Sequence, residues 1–242
     1  MESTVYIQAA DKFPFDDWAC DAYLGWRNNG ANIKLYEDIN DVPANKYSIV
    51  VGCIEDTTQW FRNANIPIPG PMTMPEELRK YARREINILP LGDALQISRY
   101  PFFIKPYSTL KQFWYGIIKC DADKIHFNKD IPLDSTVLIS EVVPMDAEYR
   151  CYIIDGKIIG VHYYLGDFKL YPDVNLVEKM IEDYTKAPRA YCIDVAVQKE
   201  TGNTILVECN DGWSLGNYGL PPKLYVRFLT TRWREIITQN KI

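Results

Sequence analysis

Residues 190–220 read AYCIDVAVQKETGNTILVECNDGWSLGNYGL. Two apolar runs rich in β-branched residues, Tyr191–Val197 and Thr204–Cys209, flank a turn that holds Gly202 and Asn203. That pattern predicts a hairpin. A three-residue loop, Thr201–Asn203, closes such a hairpin when Gly or Asn supplies the positive-φ position. This register sets Lys199–Glu200 against Thr204–Ile205 and Asp194 directly opposite Asn210. Side chains alternate along a strand, so Glu208 and Asn210 share one face and Asp194 joins them there. A two-residue loop would send Asp194 to the other face, so the shared face is itself an expectation about register.

Two carboxylates and a carboxamide on one sheet face are a hard-oxygen set suited to Mg²⁺. The same residues also fit an amphipathic hairpin with ordinary acids on its solvent face. Against that, the acids stand inside runs that are otherwise apolar on both faces, where an unpaired charge is costly. Residue chemistry alone leaves the two readings evenly matched.

The arrangement Asp194 … Glu208-x-Asn210, ending a hairpin late in the chain, resembles the magnesium motif of the ATP-grasp ligases. The run NDGWSLGNYGL resembles the tail of a small ATP-grasp subfamily of unassigned substrate, frequent in phage and bacterial genomes. The resemblance extends from Pro101 onward. It implies Asp194, Glu208 and Asn210 as metal ligands, and a fold of two α+β subdomains gripping ATP.

Other residues take implied roles from the same resemblance. In PFFIKPYSTLKQFWYGIIKC (101–120), Phe102–Lys105 is a predicted strand ending in Lys-Pro, with Trp114–Lys119 as its return strand. ATP-grasp proteins place a lysine at this Lys-Pro position on the α- and β-phosphates, which implies that role for Lys105. The loop between the strands departs from larger relatives, whose flap is glycine-rich; here Tyr107–Lys111 has no glycine, leaving its hydroxyls and Lys111 for phosphate. Ser135–Val143 is a predicted buried strand whose family counterpart feeds the hinge between subdomains. Main-chain groups of Glu141, Val142 and Val143 are then expected at the adenine edge, and Glu148 at the ribose hydroxyls. Without the resemblance, Glu141 reads as a strand-end surface acid and Glu148 as a partner of Arg150. The Glu148-Tyr149-Arg150 run matches small ATP-grasp proteins and implies Arg150 on the transferred phosphoryl group or acyl-phosphate, which a guanidinium fork suits.

Upstream, Val5–Gln8, Ile33–Tyr36 and Tyr47–Ile54 predict strands, and Phe15–Asn28 and Glu55–Asn63 predict helices. This β-α-β-β-α order predicts a small Rossmann-like α/β domain over residues 1–70, without the glycine fingerprint of a dinucleotide site, expected to wall the substrate cleft. Pro67, Pro69, Gly70 and Pro71 mark a boundary, with the ATP-grasp domain over 71–242. A charged helix is expected over Pro75–Glu85, its Arg79, Lys80, Arg83 and Arg84 forming a solvated face from which one side chain could reach a phosphate. Tyr149–Ile154 and Lys157–Tyr164 predict a hairpin around Asp155–Gly156. Val174–Tyr184 predicts a helix. A last helix opens at Pro221–Pro222 with Leu224, Phe228, Leu229, Trp233 and Ile236 inward and Arg232 and Arg234 at solvent or in salt bridges.

Bulk properties narrow the function. At 242 residues, 47% hydrophobic and 24% charged, the chain is ordinary for a globular protein with ample core. A net charge of −5 gives no basis for nonspecific nucleic-acid binding. No signal peptide and no membrane-spanning run is visible. Six dispersed cysteines, four of them in predicted strands, read as buried thiols of a reducing cytoplasm. Two histidines, His126 and His162, supply neither a histidine-rich metal site nor a Ser-His-Asp triad.

Together the resemblance implies an ATP- and Mg²⁺-dependent carboxylate–amine (or carboxylate–thiol) ligase working through an acyl-phosphate and releasing ADP. Its partners are small-molecule or peptide carboxylates and amines, with a homodimer left open. Two rivals stand beside it: a kinase that phosphorylates without ligation, and a non-catalytic nucleotide-binding module.

Overall fold

A computed structural model describes residues 3–107, 113, 116–127 and 131–240. The chain opens with β1 (Thr4–Ala10), β2 (Phe13–Pro14), α1 (Asp17–Arg27), β3 (Asn32–Tyr36), β4 (Ser48–Val51) and α2 (Ile54–Asn63). β3 and β4 flank β1, both parallel to it. Two-residue β2 is added to the expected order; Asp11 and Lys12, both at positive φ, turn it back antiparallel onto β1. β4 is shorter than expected because Cys53 already caps α2.

Glu76–Tyr81 is a 3-10 helix, shorter than the charged helix expected over 75–85. Its buried Leu78 and Tyr81 lie three apart, the repeat of a 3-10 turn, and Arg83 at φ +48 turns the chain away after it. β5 (Ile86–Pro90) and the single turn α3 (Leu91–Ala94) follow, neither foreseen from the sequence. β5 is an edge strand, where its terminal proline removes no needed ladder bond. With β6 (Phe102–Pro106), β7 (Gly116–Ile118) and β8 (Thr136–Glu141) it forms an antiparallel sheet ordered β5-β8-β6-β7. Residues 114 and 115 of the expected return strand lie outside the described residues. β8 stops two residues before its expected end, ahead of Pro144.

A second antiparallel sheet carries the site: β9 (Ala147–Ile154), β10 (Lys157–Gly166), β11 (Ala190–Val197) and β12 (Thr204–Asp211), ordered β10-β9-β11-β12. Asp155 and Gly156, at φ +48 and +72, close β9 onto β10 as a type I′ turn requires. Between β10 and β11, α4 (Val174–Asp183) starts at Asp173, whose side chain accepts from the Asn175 and Leu176 N–H groups. One sheet face, with Tyr149, Cys151, Ile153, Ile193 and Val195, packs against α4 and the 3-10 helix. The other, with Tyr152, Ile154, Ala190 and Cys192, shares a core with the N-terminal layer and α5 (Pro222–Gln239).

That shared core is aromatic. Trp233 of α5 packs on Trp60 and Phe61 of α2, at 4.9 and 5.3 Å between ring centroids, and its indole N–H donates to the Ser48 carbonyl. Arg232, expected at solvent or in a salt bridge, is buried with both Asp211 oxygens and Glu235 as partners. All six cysteines are free; Cys151, Cys192 and Cys209 are buried in strands, while Cys53 caps a helix. Among the described residues no helix is long and apolar enough to cross a membrane.

Candidate active site

Arg150 on β9, Asp194 on β11 and Glu208 on β12 form one cross-strand row, with Asp194 paired to each of the others. The register differs from the expected one. Val197 pairs with Thr204 around residues 198–203, and Val195 pairs with Leu206. Continued regularly, that ladder would set Asp194 against Val207 and turn Glu208 to the opposite face. A β-bulge adds Val207 to β12, so Asp194 faces Glu208, and Asn210 lies opposite Cys192 instead of Asp194. The shared face expected from a three-residue loop thus arises from a longer loop plus a bulge. Side chains register the kink: Val207 and Glu208, adjacent in sequence, both line the same cleft. Leu206 and Cys209, three apart, both enter the core on the other side.

Each charge in the row has a partner. Arg150 donates through Nε and Nη2 to the two Asp194 oxygens at 2.9 and 2.7 Å. Lys105 reaches across from β6 in the other sheet to form an ion pair with Glu208 Oε2. Asn210 Nδ2 donates to Asp194 Oδ2 and to Glu208 Oε1, at 3.1 Å each, tying the acids together. Burial pushes the Asp194 carboxyl up to about 6, against the pull of Arg150. At Glu208 burial acts in the same sense, but Lys105 and Asn210 outweigh it and hold the carboxyl below its ordinary value. The Arg150 guanidinium also lies over the Tyr218 ring, 4.4 Å from its centroid.

These residues border a cleft of about 430 Å³ between the two sheets. It gathers Lys105, Glu141, Val142, Val143, Glu148, Arg150, Asp194 and Glu208 from the residues singled out in the sequence. Asn210 stands behind the two acids, and Lys111 lies outside the described residues. Part of the wall is apolar, with Phe103, Ile117, Leu138, Met145 and Leu165. Glu141 is tied to Glu85, the residue before β5: its N–H donates to the Glu85 carbonyl, and its Oε2 accepts from the Glu85 N–H at 2.9 Å. Among the described residues the main-chain groups of Val142 and Val143 have no hydrogen-bond partner. Glu148 does not pair with Arg150; its Oε2 accepts from the Tyr164 hydroxyl at 2.7 Å.

Thr73 and Tyr164 also line the cleft and escaped the sequence reading. Arg84 lines it too, although nothing in its segment set it apart from the basic residues around it. Tyr164 carried a usable signal, since a hairpin around Asp155–Gly156 brings 163–165 alongside 148–149. Arg84 and Thr73 come from irregular segments and had none. The 213–218 loop is pinned from both sides. Trp213 is buried against Phe61, Ser214 donates to the Gly52 carbonyl, and Asn217 donates to Asp21. Tyr218 stacks on Tyr164 and presents a half-exposed ring to the cleft.

Among the described residues no group of three or more His, Cys, Asp or Glu side chains converges as a ready metal cage. Mg²⁺ does not need one, because it keeps several waters and commonly binds one or two carboxylates together with substrate phosphates. Asp194 and Glu208 side by side, with a carboxamide that presents oxygen when turned about, fit that demand. A lysine ammonium already stands as the cation on Glu208.

Residues 81–228 match the model of an ATP-grasp domain family. The chain belongs to the ATP-grasp family. No curated protein matches it. This ATP-grasp chain is similar in fold to D-alanine–D-alanine ligase from Bacillus anthracis complexed with ATP, with TM-score 0.56 and 15% identity over 100% of this chain and 99% of that one. Phosphoribosylamine–glycine ligase from Thermotoga maritima gives TM-score 0.57 at 12% identity, over 96% of this chain and 75% of that one. A macrocyclase from Microcystis aeruginosa bound with its precursor peptide gives 0.52 at 11%, over 94% and 99%. At these identities the likeness is one of fold.

Proposed function

We propose that this ATP-grasp chain is an ATP- and Mg²⁺-dependent carboxylate–amine ligase that works through an acyl-phosphate and releases ADP and phosphate. The observation that carries the reading is the row Arg150–Asp194–Glu208, joined by Lys105 from the facing sheet, on a cleft whose remaining wall is largely apolar. Two of the structural neighbours are ligases by name, and the third holds a peptide. They support a small-molecule or peptide substrate.

An adenine suits the apolar wall of Phe103, Leu138 and Met145, its edge read by the main chain at Glu141–Val143. Glu148 suits the ribose hydroxyls. Lys105 suits the inner phosphates; Lys111, expected to share that role, lies outside the described residues. Asp194, Glu208 and Asn210 would hold Mg²⁺, which supplies charge neutralisation at the phosphates. The chain's own residues orient and balance charge. Asp194 fixes the Arg150 guanidinium edge, and Arg150 Nη1, only 3.5 Å from the Gly216 carbonyl, remains weakly engaged. That weakly bonded edge suits the transferred phosphoryl group. The substrate carboxylate takes the γ-phosphoryl group, and the amine then displaces phosphate from the acyl-phosphate. Positioning and electrostatics carry the reaction, with no side chain assigned as a base.

Within this reading residues 1–70 form an N-terminal α/β domain that walls the substrate side and packs into a core shared with the ATP-grasp domain of 71–242. The free cysteines suit a reducing cytoplasm.

The test is a screen of carboxylates and amines for stimulated nucleotide turnover, with chromatography of the nucleotide and mass spectrometry of the product. ADP with a new amide is expected. Stoichiometric AMP would overturn the mechanism, and a phosphorylated product without an amide would make the protein a kinase.

A further inference from the structure

Arg84 does not sit on a solvated helix face. After the 3-10 helix, Arg83 at φ +48 redirects the chain, and Arg84 turns inward. Its Nη1 donates to the Leu206 carbonyl at 2.6 Å and its Nη2 to the Val207 carbonyl at 3.0 Å. Nη1 also reaches the Ala82 carbonyl at 3.2 Å. The two β12 acceptors are the residues at the bulge. A bulge interrupts the ladder, so its main-chain groups must find donors elsewhere. A rigid, planar guanidinium can serve two successive carbonyls at once, which a lysine ammonium on a flexible stem matches poorly. Burial works against the charge of Arg84, and the nearby Glu208 carboxylate supports it.

The bulge is the feature that decides which face Glu208 takes. We infer that Arg84 is a positioning residue: it clamps the Leu206–Val207 bulge and thereby holds Glu208 opposite Asp194 on the cleft face. The clamp stands on geometry alone. Its consequence for ligand binding rests on the reading of Asp194 and Glu208 as the metal–nucleotide site. Arg84 also lines the cleft, so the competing role is direct contact with a phosphate. The two roles separate by experiment.

The full chain is compared with its Arg84→Ala and Arg84→Lys variants. Hydrogen exchange is followed over residues 205–211, with 149–154 of β9 as the internal reference, and Mg·ATP affinity is measured by calorimetry. In Arg84→Ala, exchange over 205–211 should quicken about tenfold or more through local opening, with the reference unchanged. Mg·ATP affinity should fall roughly tenfold, in keeping with a lost charged hydrogen bond that shapes the site. Methylguanidinium at low millimolar concentration should restore part of both. Arg84→Lys, which can hold one carbonyl, should lie between; if Arg84→Ala does not fold, this variant carries the comparison. Lost affinity with unchanged exchange would overturn the clamp and make Arg84 a ligand contact. No change in either would remove any role. If the unaltered chain shows no Mg-dependent nucleotide binding, the ligase reading fails, while the exchange comparison still decides the clamp.

Discussion

Arg150 and Asp194 stand directly opposite each other on β9 and β11, 44 residues apart in sequence, joined by two N–H···O bonds of 2.9 and 2.7 Å. Their side chains are only 7% and 2% exposed. The carboxylate proposed above as a metal ligand is therefore, in the protein itself, also the orienting partner of the arginine. The two roles are compatible, because the carboxylate has lone pairs beyond those used by Arg150 and Asn210. Yet the buried pair sets a stability condition on every variant of the site.

Removing one member leaves an uncompensated buried charge, so Asp194→Ala should destabilise the protein by about 3–5 kcal/mol. The double variant Arg150→Met with Asp194→Leu should recover most of that stability while abolishing turnover. Urea unfolding of Arg150→Met, Asp194→Leu and the double variant measures the coupling. A double variant no more stable than the weaker single would contradict a mutually dependent pair.

Glu208 and Lys105 pair across the two sheets and should separate function from folding. Glu208→Gln keeps the shape and the Asn210 contact, and should leave folding intact while abolishing Mg-dependent nucleotide turnover. Lys105→Ala should weaken ATP binding by about 1.5–3 kcal/mol, or roughly tenfold and beyond. Calorimetry that finds full ATP affinity in Lys105→Ala would remove the lysine from the phosphate site.

His162 gives a pH dependence of known sign. Burial beside Tyr152 lowers its pKa below the ordinary histidine value. The unfolded chain then binds its proton more readily than the folded one. The contribution is fully present above the ordinary value and is lost as pH falls through it toward the depressed folded value. Denaturation at pH 7 and pH 5 should show the native chain losing more stability than His162→Gln. Equal losses would show that His162 contributes nothing to the acid side.

Gly25 reverses a familiar rule. Glycine to alanine inside a helix usually stabilises by roughly 1 kcal/mol. Here a Cβ at Gly25 of α1 would lie 2.4 Å from the Pro222 carbonyl oxygen and 2.5 Å from Val226 on α5. Gly25→Ala should therefore destabilise, by about 1–3 kcal/mol as for an overpacked core. A raised melting temperature would show that α1 and α5 part more easily than their packing suggests.

Most of what is local can be read from the chain alone. Apolar runs broken by Gly, Pro and Asn placed β9 to β12, and Asp155–Gly156 named its turn, because strand alternation and positive-φ chemistry act over a few residues. Asp194, Glu208 and Asn210 were also legible as one face, through a spacing argument whose loop was wrong. How that face is made is a matter of long-range packing. The bulge at Val207 depends on Arg84, more than 120 residues earlier, and no local pattern encodes a donor arriving from so far away. The segment 75–85 misled in the opposite direction. Its charges suggested a longer helix with a solvated face, whereas buried Leu78 and Tyr81 and the left-handed Arg83 make it a short 3-10 turn that delivers Arg84 inward. Lys105 against Glu208 and Arg150 against Asp194 were hidden for the same reason as the bulge. Each charge looks solvent-bound or metal-bound in its own segment. Only folding brings the opposite charge close enough, in a site dry enough, for the pairing to be the lower-energy state.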